Sequence, residues 1–243
     1  MRMKLRSLLR KHDGSSAVVL GHGPSLDGYK IHVEGWKRDR IIVGCNEWYY
    51  VYNHVPHYWV LANSIQTMRS DAANMNKYAG QTTVLYADTV DLTDHAWIEA
   101  NVKCDWLSYD QRHFDGKPCF VKTCCKHIDP ERVTIQQELQ KMSGHPLHYG
   151  SGDTVALHCI TLAVLMGCNP VYVVGMDLDY GLGYAQNTGG LINKVWPSDL
   201  VEYRDRILGD LNRINESAKL METRIINLDK KSSFGILEIG DVQ

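Results

Sequence analysis

Residues 148–184 read HYGSGDTVALHCITLAVLMGCNPVYVVGMDLDYGLGY, and this stretch decides the fold. Gly150, Ser151 and Gly152 form a pliant lead-in, and Ser151 or Asp153 can cap a first helical turn. From Val155 to Met166 almost every side chain is apolar. A helix without a wide polar face has to be buried on most sides. Gly167, Asn169 and Pro170 end it. The β-branched run Val171-Tyr172-Val173-Val174 then suits a central parallel strand. The next ten residues, 175–184, hold Asp177, Asp179, Tyr180 and Tyr184 in a glycine-rich loop. In an open parallel sheet, ligands bind beyond the carboxyl ends of the strands, which makes these polar residues candidates for chemistry.

Working outward, the same alternation recurs. Residues 17–20 (AVVL), 41–43 (IIV), 58–61 (YWVL), 83–86 (TVLY) and 224–228 (RIINL) read as short buried-type strands. Leu200, Tyr203, Ile207, Leu211, Ile214, Ala218 and Met221 recur at helical steps, behind an Asp199-x-x-Glu202 box. Strands alternating with helices predict an α/β, doubly wound, mostly parallel Rossmann-like sheet with helices on both faces. Residues 88–146 are rich in Asp and His and broken by Pro118, Pro130 and Pro146. They are expected to form an irregular insertion or lid within a single domain spanning 1–243.

With 44% apolar and 22% charged residues over 243 positions, the composition is that of an ordinary globular domain. A formal net charge of −2 gives no reason to expect nucleic acid as a partner. The basic start, MRMKLRSLLRK, has too short an apolar run for a signal peptide or membrane span and reads as a solvated first helix. No transmembrane segment is expected elsewhere, and the chain is compatible with a homo-oligomer. Cys119, Cys124, Cys125 and His127 form C-x4-C-C-x-H without the second pair that zinc sites carry, so no metal is expected there. Cys45, Cys159 and Cys168 lie in apolar runs and read as small core residues. Reduced thiols point to a cytoplasmic location.

After the strand at 17–20 comes Gly21-His22-Gly23-Pro24-Ser25-Leu26. Two glycines allow close backbone approach, and their amides can face an anion. Leu26 stands where a third glycine would complete the dinucleotide fingerprint, and no Gly-Lys-Ser/Thr follows as in a P-loop. The turn joins Asn46, Asn63, Ser151 and the 177–184 loop as polar groups placed directly after expected strands, hence on one edge. Amides for phosphate and asparagines for base or ribose suit a nucleotide. Taken singly, each also reads as a turn or cap residue.

These residues carry a family resemblance. GHGPSL after a strand, IIVGCNEWYY, the strand ending LANS, and GSGDTVALHCITLAVLMGCNPVYVVGMDLDYG together resemble bacterial lipooligosaccharide sialyltransferases. They are also similar to the wider set of domains grouped with 6-hydroxymethylpterin diphosphokinases. The first resemblance implies a CMP-sugar bound without metal or other cofactor. It places Gly21, Gly23, Pro24, Ser25, Asn46, Asn63, Ser151 and Gly152 around the nucleotide, with His22 where the family has Asn. Tyr180 and Tyr184 then correspond to the hydroxyls that stabilise the departing phosphate, beside Asp177. The family's histidine base has no counterpart after the G-x-D loop, so the base is either moved, to His113, His127 or His148, or absent. The second resemblance implies ATP, Mg2+ and a pterin alcohol, with Asp177 and Asp179 holding the cation.

The expected function is therefore glycosyltransferase-like: transfer from a nucleotide-activated sugar to a hydroxyl of a small-molecule or glycan acceptor. The Mg2+-dependent diphosphokinase and a non-catalytic nucleotide-binding module are the alternatives. A branched side chain at Gly23 is expected to block the ligand while leaving the fold largely intact.

Overall fold

Short β-branched and aromatic runs pair laterally once helices cover both of their faces, and this chain is built in that way. The computed structural model describes residues 1–61, 65–88, 92–110, 135–145, 154–178, 200–230 and 235–241. The strands are β1 (Ala17–Leu20), β2 (Ile41–Cys45), β3 (Tyr58–Leu61), β4 (Thr83–Asp88), β5 (Asp105–Asp110), β6 (Val171–Val174), β7 (Ile225–Asn227) and β8 (Glu238–Ile239). They form one sheet in the order β5-β4-β3-β2-β1-β6-β7-β8. Every neighbouring pair runs parallel. β1 is central, with Ala17 in register with Ile41 on one side and Val171 on the other.

Side-chain alternation along the strands sorts the core into two layers. Ala17, Val19, Val43, Cys45 and Val60 pack with helices α4 (Ile135–Ser143), α5 (Val155–Leu165) and α6 (Leu200–Leu220). Val18, Leu20, Ile42, Trp59 and Leu61 face α1 (Val33–Asp39), α2 (Ile65–Lys77) and α3 (Leu92–Asn101) on the opposite side. The sheet is thus doubly wound, as the strand–helix alternation requires.

α5 is buried from Ala156 to Leu165, in keeping with its lack of a polar face. Thr154 is its N-cap and makes no side-chain capping bond, whereas Ser151 and Asp153 lie outside the described residues. Gly167, at φ +80°, follows the helix in the left-handed conformation that glycine adopts freely. The strands at 17–20, 58–61 and 171–174 fall where the residue pattern put them, and the one expected at 41–43 runs on to Cys45.

The basic N-terminus differs from the expected solvated helix. The Met3 amide donates to Trp106 O at 2.6 Å, and the Trp106 amide donates to Met1 O at 3.0 Å. Residues 1–3 therefore run along the outer edge of β5, and a 3-10 turn (Leu5–Leu8) buries Leu8. Apolar residues at 3, 5, 8 and 9 pack on the α5 layer, so burial rather than helical propensity decides this segment. Within 88–146, the described residues contain α3, β5 and α4. β8, two residues long, answers to no pattern in the sequence. No helix among the described residues is long and apolar enough to cross a membrane.

Leu162 of α5 is 1% exposed in the core. Leu162→Ala is expected to cost roughly 2–5 kcal/mol, read from the shift in urea unfolding midpoint at unchanged slope.

Candidate functional site

β1 and β6 are neighbours, but the chain leaves them in opposite directions. From β1 it proceeds outward to β5, then returns to β6 and proceeds to β8. This is a topological switch point, the place where an open α/β sheet forms its crevice. The glycine turn follows β1 and the Gly175–Asp177 segment follows β6, so both stand on that edge.

The two loops are locked together by their backbones. The Gly21 amide donates to Val174 O and the Gly23 amide to Gly175 O, each at 2.8 Å. A Cβ on Gly21 would strike the Gly175 carbonyl, and one on Gly23 would strike the Asp177 carboxylate. Gly175 itself sits at φ +74°. These glycines are required by backbone packing against backbone. Gly23 is extended (φ −71°, ψ 160°) ahead of Pro24, and a 3-10 turn (Pro24–Gly28) begins there.

Ser25 completes the lock. Its amide donates to Asp177 Oδ1 at 3.1 Å, and its hydroxyl donates to Oδ2 at 3.1 Å. The same hydroxyl accepts the Gly175 amide at 3.0 Å. The amides of Gly21, Gly23 and Ser25 are thus spent within the protein, contrary to the expectation that they cradle a phosphate. A short, steep connection between two adjacent parallel strands leaves them no nearer acceptor than the facing loop.

Asp177 is half-buried beside Asp229, the second residue after β7. Burial raises its carboxyl above the usual 3.8, the Ser25 hydroxyl and amide oppose the rise, and Asp229 adds to it. Asp229 was not anticipated. Its only signal was its position after a strand, the same criterion that selected Asp177. Tyr29 ties this corner to the turn through a 2.8 Å hydroxyl bond to Leu228 O.

Asn46 follows β2 at φ +40°, a left-handed position that asparagine tolerates better than most residues. Its amide donates to Val60 O at 2.9 Å, and its carbonyl accepts Trp59 Nε1 at 2.6 Å. Its backbone closes the β2 turn. Leu178, after Asp177, is also left-handed at φ +55°.

His22 lies between the two glycines, 8% exposed, and its Nε2 is buried without a hydrogen-bond partner. Burial alone would lower its pKa. The neighbouring Cys45 sulfur, with Glu47 beyond it, more than offsets that, and the imidazole ends up raised.

The structure therefore brings Gly21, His22, Gly23, Pro24, Ser25, Asn46 and Asp177 to one edge. Asn63, Ser151, Gly152, Asp179, Tyr180 and Tyr184 lie outside the described residues, as do His113, His127, His148, Cys119, Cys124 and Cys125. Among the described residues, no group of three or more His, Cys, Asp or Glu side chains is arranged to hold a metal ion.

No protein-family model matches the chain, and no curated protein matches it. Solved structures do. The apo α-2,3-sialyltransferase from Campylobacter jejuni superposes with a TM-score of 0.53 at 11% identity, covering 96% of this chain and 83% of that one. The C. jejuni sialyltransferase CstII in complex with cytidine-5'-monophosphate gives 0.52 at 12% identity, covering 94% and 86%. The fold is sialyltransferase-like. At such low identity the sialyltransferase likeness extends to the chain's path through space and not to its side chains.

Two outcomes follow for the lock. Gly23→Ala is expected to destabilise the fold by roughly 1–3 kcal/mol in urea unfolding, because the added carbon displaces the Asp177 carboxylate. The earlier expectation that a side chain here acts on ligand alone is set aside by this packing. For Asp177, the folded-state pKa is raised, so folding binds a proton more tightly than the unfolded chain does. Stability from this group is present below the unfolded value and is lost as pH rises through the folded one. Asp177→Asn has no such loss. Its melting temperature relative to wild type should therefore rise between pH 3 and pH 6.

Proposed function

We propose that this chain binds a CMP-activated sugar and transfers the sugar to a hydroxyl acceptor. The observation that carries the reading is the open edge at the β1/β6 switch point. The glycine turn, Asn46 and the G-x-D loop converge there, in a fold shared with sialyltransferases solved with CMP or a CMP-sugar analogue.

In such a transfer, the acceptor oxygen attacks an oxocarbenium-like anomeric carbon while the nucleotide phosphate departs. Charge then develops on the phosphate, and donors aimed at it lower the barrier. With the amides of Gly21, Gly23 and Ser25 already engaged, this reading gives that task to the hydroxyls of Tyr180 and Tyr184, with Ser151 and Gly152 from the sequence ahead of α5. Asn46 and Asn63 address base or ribose, and His113, His127 or His148 takes the acceptor's proton. Pro24 and the lock through Ser25 and Asp177 set the turn's shape. No metal is needed in this scheme. The Mg2+-diphosphokinase alternative requires Asp177 as a cation ligand, a role that its bonds from Ser25 and its raised pKa disfavour.

Calorimetric titration against CMP, CDP, UDP and ATP, with and without Mg2+, is the first test. CMP binding independent of Mg2+ is expected, and Mg2+-dependent ATP binding would instead establish the diphosphokinase. Donor consumption is the second. Tyr180→Phe and Tyr184→Phe keep the ring and remove the hydroxyl, so each should slow turnover by roughly a hundredfold to a thousandfold with little change in CMP affinity. CMP binding without donor consumption by wild type would make the chain a binding module.

A further inference from the structure

At the edge of the sheet opposite the candidate site, the structure holds a cleft of about 640 Å³. Three connections form it, each leading into a strand: residues 10–14 before β1, 167–169 before β6 and 220–223 before β7. α4 adds Met142 from the side. Backbone bonds hold the first two connections together. The amides of Arg10, His12 and Gly14 donate to the carbonyls of Leu165, Met166 and Gly167 at 2.9, 2.8 and 2.9 Å. Asn169 ties in the third, giving Nδ2 to Glu222 O at 3.0 Å and accepting the Arg224 amide on Oδ1 at 3.1 Å. The cleft is therefore pre-formed, with little chain left to order when a ligand enters.

Its walls divide by chemistry. Met142 and Met221 pack against the core, and Leu220 beside them is 59% exposed. Two adaptable thioethers and an exposed leucine present a surface for hydrocarbon. The charged side chains are Arg10, Asp13 and Glu222. Arg10 is engaged, its Nη2 donating to both Asp13 carboxylate oxygens at 3.1 and 3.0 Å. That pair cancels in charge, and the Glu222 carboxylate has no partner among the described residues. α5 and α6 both end at the cleft, so the negative ends of two helix dipoles add to Glu222. Arg10 and Glu222 stand at φ 56° and 58°, left-handed positions that cost a residue with a Cβ free energy. Both of these turns carry a charged side chain to the same cleft.

We propose that this cleft binds a small organic cation, an ammonium group carried on an apolar body. The ammonium pairs with Glu222 where α5 and α6 end, and the hydrocarbon lies on Met142, Leu220 and Met221. An anion would find only Arg10, which Asp13 already holds, and would meet Glu222 and both helix ends with the wrong sign. A neutral hydrocarbon would gain the apolar contact alone. The proposal does not depend on the transferase reading, because the cleft and the β1/β6 switch-point edge lie at opposite ends of the strands.

The test uses the full-length protein labelled with carbon-13 in its methionine methyl groups, at pH 7 and fixed ionic strength. It is titrated with n-hexylammonium, n-hexanol and n-hexanoate, which share a hydrocarbon chain and differ in charge. Met142→Leu and Met221→Leu assign the two resonances of the cleft. Hexylammonium is expected to shift both saturably, in the millimolar range that suits so small a ligand. Hexanol and hexanoate should bind at least about threefold more weakly. Glu222→Gln should weaken hexylammonium about threefold, and Arg10→Ala, which frees Asp13, should tighten it by a similar factor. Leu220→Ser should weaken it through lost apolar contact. All three side chains are exposed, so the variants keep the fold, which urea unfolding checks. Hexanoate binding as tightly as hexylammonium, or loss of binding in Arg10→Ala, would overturn the proposal. So would shifts spread equally over methionines outside the cleft, or no saturable shift in the wild type.

Discussion

The architecture depends on how closely two loops approach at the centre of the sheet. β1 and β6 lie side by side, and both chains must turn out of the sheet at the same level. Only glycine at 21, 23 and 175 permits the backbones to meet there, and the bonds from Gly21 to Val174 and from Gly23 to Gly175 hold them. Ser25 and Asp177 close the remaining gap with donors and acceptors paired off. An unpaired amide at this depth costs free energy comparable to a lost hydrogen bond, so the pairing is a condition of the fold before it is anything else.

That constraint redistributes the chemistry of the edge. What remains polar and outward-facing around β1, β6 and β7 is largely acceptor in character: Asp177, Asp229 and main-chain carbonyls. His22, buried in the turn, is the exception, a basic group whose pKa Cys45 and Glu47 raise against the effect of burial. The amides of Gly21, Gly23 and Ser25 are not open donors on that edge.

Much of the fold was legible because the responsible forces act over short stretches. Short β-branched and aromatic runs mark β1, β2, β3 and β6, and the nearly unbroken apolar run 155–166 reads as a buried helix. α2 and α3 were not read: their polar faces and interrupted apolar spacing resemble loop sequence, and packing against β3–β5 decides them. The N-terminal segment was misread for a related reason. Its basic residues suggested solvent, whereas its bonds to Trp106 are set by an edge strand that only the folded sheet presents. At the site, residue types and their edge were legible from position after a strand. Their partners were not, because Ser25 and Asp177 are separated by most of the chain.

Strand order also has a consequence for biosynthesis. β1 leaves the ribosome before β2 to β6, yet one of its two flanks is completed only by β6, about 150 residues later. At roughly 5–20 residues per second, that flank stays open for on the order of ten to thirty seconds. During that interval the β2–β5 half of the sheet can assemble, while the most apolar strand of the molecule presents unpaired amides and carbonyls. The glycine lock draws on residues from either side of this gap. Closing so long a loop late is slow, and the nascent chain is a natural client for chaperones that shield strand edges.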